Sequence, residues 1–191
     1  MKKIVLASAS PRRKALLEQI CLKFTVDARV REDTELVGQE PHQLAREISL
    51  KKAESVASGY PDAIIIAADT FGVIDGCMIG KPHSESEARA MIASLSGKSH
   101  TVITGFTVLD TLTRKAVSRS VETTVHMKRI TTSEIEAYVK TGEPLDTAGA
   151  YAIQGLGAVF VERIEGDYFN VVGLPLCALA EVLKEFGITV L

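Results

Sequence analysis

An acidic side chain at the end of a strongly apolar run is the first candidate for chemistry. Residues 63–68, Ala-Ile-Ile-Ile-Ala-Ala, form the most hydrophobic stretch of the chain and lead directly into Asp69-Thr70. Such a run reads as a strand buried on both faces. A carboxylate at its tip is costly to desolvate unless a cap, a metal or a reaction uses it, and in open α/β sheets ligands collect beyond strand ends of this kind. A second candidate follows the apolar run Ile4-Val5-Leu6. There Ser8-Ala9-Ser10-Pro11-Arg12-Arg13 brings hydroxyls and guanidinium groups to a helix start. Ser10 has the chemistry of an N-cap, and Pro11 suits the first helical position. Free backbone N–H groups, the positive end of the helix dipole and arginine's planar fork all favour a phosphate there. The same run also reads as a capped helix with two solvated arginines.

Further charged residues stand out by position. A helix expected from Pro41 carries Leu44, Ala45, Ile48, Val56 and Ala57 on one stripe, and Lys52 falls on that stripe. A lysine there either snorkels to water or points into a cleft, and the pattern alone favours snorkelling. Lys81 sits in the stiff sequence Ile79-Gly80-Lys81-Pro82. Its spacing from Gly76 and the proline that follows rule out a P-loop. The acidic stretch Glu32-Asp33-Thr34-Glu35 reads as a solvated turn, or as part of a divalent-metal site if a strand delivers it. Residues 143–157 form a glycine-rich loop with an acid, an amide and an aromatic, a mixture suited to binding. Gly155 and Gly157 lack the third glycine of a dinucleotide fingerprint. The four histidines show no metal-ligand spacing, and no serine or cysteine nucleophile stands with a base.

The elements that must position these residues alternate between the two hydrophobic periods. Strands are expected at residues 4–6, 24–30, 63–68 (continuing through 71–75) and at 99–109 and 116–127. A terminal hairpin is expected from 158–164 and 168–172. Helices are expected after Ser10, from Pro41, after a capping box at Ser84 and Glu87, after another at Thr131 and Glu134, and after Pro175. The 191 residues carry a net charge of -2, which excludes a global basic field for non-specific nucleic-acid binding. The three cysteines, isolated and odd in number, read as reduced packing residues of a cytoplasmic protein. No run approaches membrane-spanning length.

Together, Ser8-Ala9-Ser10-Pro11-Arg12-Arg13, Ala68-Asp69-Thr70, Gly80-Lys81-Pro82, Leu95-Ser96-Gly97 and the 143–157 loop, in this order and spacing, resemble the Maf family of nucleoside triphosphate pyrophosphatases along nearly the whole chain. The resemblance implies a single α/β domain over residues 1–191, with a long curved mixed sheet flanked by helices and a substrate cleft between two lobes. It implies a cytoplasmic homodimer that binds neither nucleic acid nor membrane. The implied reaction is hydrolysis of a nucleoside triphosphate to the monophosphate and pyrophosphate with Mg²⁺ or Mn²⁺. Carried over by motif, Asp69 accepts the proton of the attacking water. Arg12, Thr70 and Gln154 mark substrate choice and are similar to the branch that hydrolyses dTTP and UTP. Ser8, Arg13, Lys52 and Lys81 bind phosphates, and the metal falls to Asp69 with Glu32 or Asp33. Two positions depart from the pattern: Asp33 aligns where the family usually has Glu, and Thr147 stands where this branch often has Lys. A house-cleaning role against non-standard nucleotides fits the same chemistry. The alternative is a nucleotide-binding regulator of septum formation or division arrest that does not hydrolyse its ligand.

Overall fold

β1 (Lys3–Leu6) lies between β2 (Thr25–Val26) and β3 (Ala63–Ile74), parallel to both. The computed structural model describes residues 2–29 and 40–191. Its strands also include β4 (Cys77–Ile79), β5 (Ser99–Asp110), β6 (Ala116–Met127) and β7 (Val161–Gly166). They hydrogen-bond in the order β2-β1-β3-β5-β6-β7, with β4 paired to β3. Because β4 and β7 run antiparallel to β3 and β6, the sheet is mixed. Its helices are α1 (Pro11–Gln19), α2 (Pro41–Ala57), α3 (Glu85–Leu95), α4 (Thr132–Val139), α5 (Tyr168–Val172) and α6 (Leu176–Lys184). Among the described residues no helix is long and apolar enough to cross a membrane.

The chain divides into two compact units. One draws on Met1–Asp69, Thr104–Val121 and Gly173–Leu191, the other on Thr70–Ile103 and Glu122–Val172. In the first, Val5, Ala7, Ile65 and Ala67 pack with Ala53, Val56 and Ala57 of α2. Gly105 sets how closely α2 lies on β5: a Cβ there would fall on the Ala45 carbonyl and 2.8 Å from the Ala45 Cβ. Ser49 on α2 adds a buried hydroxyl contact of 2.8 Å to Thr107 on β5, and Thr107 meets Ser118 of β6 at the same distance. The helix is thereby fixed both along and across the strand.

In the second unit, α3, α4 and the aromatic residues Tyr138, Tyr151 and Phe160 form the core. The β3–β4 turn has Asp75 at φ 49° and Gly76 at φ 77°, the Asp-Gly pair that a type I′ hairpin favours. His100 is buried and its Nε2 lies 2.9 Å from the Tyr151 hydroxyl. Burial, with His126 nearby, lowers the His100 pKa to about 4, and burial pushes the Tyr151 phenol up.

Several expectations need correction. The strand predicted at 24–30 is only two residues long, and Val26 and Ala28 face out while Asp27 is buried. Asp27 accepts from Arg29 Nε at 3.0 Å, Arg29 Nη2 at 2.6 Å and the Tyr60 hydroxyl at 3.1 Å, so the buried group of this segment is a paired acid. The Arg29 guanidinium holds the Asp27 carboxyl well below the usual carboxylate range. The second strand of the expected terminal hairpin is the helix α5. Asp167 Oδ1 accepts from the Phe169 N–H at 2.8 Å, and buried Asn170 donates to the Val102 carbonyl and to Thr123 Oγ1, both at 3.0 Å. Those anchors override the β propensity of its Tyr, Phe and Val residues. Thr131 and Glu134 form the full capping box, but Glu87 turns its carboxylate to the His83 N–H and leaves only the Ser84 half of the other. All three cysteines are exposed, so none is a packing residue.

Two measurements follow from this packing. Gly105→Ala is expected to lower stability by about 1–3 kcal/mol through overpacking, seen as a lower urea midpoint with an unchanged slope. For His100, the folded pKa lies below the unfolded value of about 6.5, so between those values the unfolded chain binds more protons. Stability therefore falls as pH drops from about 6.5 to about 4, by on the order of 3 kcal/mol from this residue. His100→Phe should flatten that part of the stability–pH curve; an unchanged slope would refute the assignment.

Candidate active site

The site in the first unit grows from the unequal lengths of β1 and β3. The parallel register pairs Leu6 with Ile66, and the Ala7 N–H donates to the Ile66 carbonyl at 2.8 Å. β1 then ends, whereas β3 continues to Ile74. Asp69 is therefore not at the tip of its own strand, as the apolar run suggested, but just past the C-terminal end of the neighbouring one. Burial along β3 eases at Asp69 and Thr70, which are the first half-buried residues of the strand. The apolar run ends where burial eases, but the strand itself does not end there.

Lys52 comes to Asp69 from α2. Its Nζ stands 2.6 Å from Asp69 Oδ1, with the side chains 10% and 21% exposed. Snorkelling, the reading that the helical stripe favours, does not describe this lysine. The carboxylate on β3 supplies the partner that water would otherwise provide, and the pair offsets part of the desolvation each charge would meet alone.

The 8–13 turn is built as expected at its cap. Ser10 Oγ accepts from the Arg13 N–H at 3.4 Å, and Pro11 occupies the first turn of α1. Buried Ser8 adds a second layer, accepting from the Ser10 N–H at 3.2 Å and from Arg13 Nη1 at 3.3 Å. Arg13 Nε donates to the Gly173 carbonyl at 2.8 Å, which ties the guanidinium to the segment that precedes α6. Arg12 is half-buried beside it. A phosphate-sized anion at this turn would meet a guanidinium already oriented by backbone, together with the N-terminus of a nine-residue helix.

The second unit carries three further predicted residues. Thr70 is half-buried on β3, and Lys81 and Gln154 are exposed on loops. The 143–157 loop is wound into short 3₁₀ turns, Glu143–Asp146, Ala148–Ala150 and, overlapping its end, Leu156–Phe160. Its organising group is Glu143, whose role the sequence did not reveal. The Glu143 carboxylate accepts from the Tyr138 hydroxyl at 2.7 Å and from the Leu156 and Gly157 N–H groups, both at 3.0 Å. The signal was present: an acid before a proline, followed by the paired glycines 155 and 157 whose backbone can approach it. Glu32 and Asp33, the expected metal partners of Asp69, lie outside the described residues.

Residues 3–186 match the family profile described as Maf-like protein. The chain belongs to the Maf-like family. It is similar to a dTTP/UTP pyrophosphatase of Methanococcoides burtonii, 50% identical over 191 residues that cover 100% of this chain and 98% of that protein. A protein of the same name from Alkaliphilus metalliredigens is 50% identical over 195 residues, with 100% of both chains covered. One from Clostridioides difficile is 44% identical over 183 residues, covering 96% of this chain and 94% of its own. The mixed α/β sheet expected of a Maf-like protein is the one observed. Of the Maf-like positions named from sequence, Lys52 meets Asp69 and Ser8 meets Arg13.

The ion pair has a direct test. Lys52→Met should cost about 1–3 kcal/mol, between the values for exposed and fully buried pairs, because it leaves the Asp69 carboxylate without its cation. Adding Asp69→Asn should recover part of that loss. A double-mutant cycle on urea midpoints with coupling below ~0.5 kcal/mol would show the two side chains to be independent.

Proposed function

We propose that this Maf-like chain hydrolyses dTTP and UTP to the nucleoside monophosphate and pyrophosphate. The observation that carries the proposal is the Lys52–Asp69 pair set just past the end of β1, in the unit that also holds the oriented Ser8–Arg13 contact. The names of its relatives point to the same reaction. A triphosphate needs several local cations, and Arg13 and Lys52 supply them within a chain of net charge -2.

In this reading Asp69 orients the attacking water and takes its proton, the role of a general base. Lys52 pairs with that carboxylate at 2.6 Å and offers ammonium donors to a phosphate. Ser8 and Arg13 bind phosphate oxygens at the start of α1, with Lys81 as a further cation. Among the described residues no three His, Cys, Asp or Glu side chains cluster to form a complete metal cage. A single carboxylate with substrate phosphates is nonetheless a donor set that Mg²⁺ or Mn²⁺ accepts, so Asp69 fits such an ion, with Glu32 or Asp33 as a further ligand. When bound, the ion supplies charge neutralisation on the phosphates and lowers the pKa of coordinated water. Gln154, with a donor and an acceptor on one amide, matches the edge of a pyrimidine base. Arg12 and Thr70 complete the residues that set substrate choice.

Pyrophosphate release from a panel of nucleoside triphosphates with Mg²⁺ or Mn²⁺ tests the reaction. Turnover is expected on dTTP and UTP, with Asp69→Asn lowering kcat by about 10²–10⁴-fold while nucleotide still binds. Orthophosphate as the product would overturn the reaction, and near-normal turnover in the variant would overturn the role of Asp69. Tight nucleotide binding with no product would favour a regulator that senses nucleotide.

A further inference from the structure

We propose that Glu143 and Tyr138 are positioning residues for base selection, acting through the turn that presents Gln154. The inference rests on the reading of Gln154 as the residue that meets the base. Gln154 is exposed, yet the backbone on both sides of it is tied to one pair, buried Tyr138 and half-buried Glu143. On one side the Ala152 N–H donates to the Tyr138 hydroxyl at 3.1 Å. On the other, the consecutive N–H groups of Leu156 and Gly157 donate to the two oxygens of the Glu143 carboxylate, both at 3.0 Å. The Tyr138 hydroxyl closes the circuit by donating to Glu143 Oε1 at 2.7 Å. Between these anchors the Gly155 N–H returns to the Ala152 carbonyl at 3.1 Å, so Gln154 stands near the tip of a closed turn.

The glycines explain why only this sequence lets the loop come so close. A Cβ at Gly155 would strike the Glu143 carboxylate, with its Cδ 2.6 Å away. A Cβ at Gly157 would stand 2.7 Å from the Tyr138 hydroxyl and 2.8 Å from the Ala152 nitrogen. Neither glycine is at a left-handed φ, so their requirement is close approach rather than backbone conformation. The pair itself is fixed from behind. Tyr138 is buried and meets Phe160 edge-on at 5.1 Å, while Thr141 donates to the Tyr138 carbonyl at 2.6 Å and accepts from the Glu143 N–H at 3.3 Å. A carboxylate facing successive backbone N–H groups is a strong and directional anchor. The amide of Gln154 is thus presented to solvent on a backbone that has little freedom left to lose when a base arrives, and pre-organisation of this kind increases discrimination.

The test compares Glu143→Gln, Glu143→Ala and Tyr138→Phe with Gln154→Ala. For each, kcat and KM are measured for dTTP, UTP, CTP and GTP, and amide exchange is followed at Leu156 and Gly157. Glu143→Gln keeps the volume and one acceptor, so it should retain more selectivity than Glu143→Ala. Tyr138→Phe removes a single hydroxyl and stays informative if Glu143→Ala does not fold. Glu143→Ala or Tyr138→Phe should reduce the preference for dTTP and UTP by about tenfold, mainly through KM, with faster exchange at both amides. In a Gln154→Ala background neither should reduce it further. If Gln154→Ala alters selectivity while Glu143 and Tyr138 variants keep the wild-type ratio, the positioning role is overturned and the reading of Gln154 stands. If Gln154→Ala leaves selectivity unchanged, the reading of Gln154 fails and this inference with it.

Discussion

The contact between Lys52 and Asp69 decides what the first unit can do. An ammonium and a carboxylate that are each mostly withdrawn from water are tolerable only together. Their meeting depends on where α2 lies, and α2 is held by two features of β5. Gly105 admits the Ala45 backbone, and Thr107 bonds Ser49, one turn before Lys52 on the same face of the helix. The strand end at Leu6 supplies the rest, because Asp69 has room only where β1 has stopped. A side chain added at Gly105 would thus act on the charge pair through the position of the helix, without touching either partner.

The second unit places a carboxylate with different donors. Its acid, Glu143, accepts from two backbone N–H groups and a phenol. The difference follows from what each acid must hold. Asp69 lies on the regular strand β3 and takes a lysine from α2. In a loop of short 3₁₀ turns several amides lack sheet partners, and one carboxylate can gather them.

Legibility in the sequence tracked how local each interaction is. The cap at Ser10 with Pro11 and the full box at Thr131 and Glu134 are contacts within one helical turn, and residue types alone identify them. The apolar run before Asp69 was equally plain, because burial on both faces leaves no polar position in the pattern. Lys52 was misjudged because its partner lies on another element, so a helical stripe could say only that the site was buried. Asp27 inverted the expected alternation at 24–30 for a related reason: Arg29 and Tyr60 make the acid the buried residue. Residues 168–172 have the composition of a strand, but Asn170 is committed to Val102 and Thr123, and that choice of partners exists only after folding.

The cations of the first unit also differ in how far they are committed. Arg13 directs Nε to a backbone carbonyl and Nη1 to a buried hydroxyl, so its planar fork is oriented by groups that cannot leave. Lys52 is a compact charge on a flexible four-carbon stem, held by a side-chain carboxylate. The two cations are thus positioned by different means, the guanidinium by backbone and a buried hydroxyl, the ammonium by the Asp69 carboxylate. Replacing Lys52 by arginine would keep the charge but set a broad, planar group against Asp69 in place of a compact ammonium.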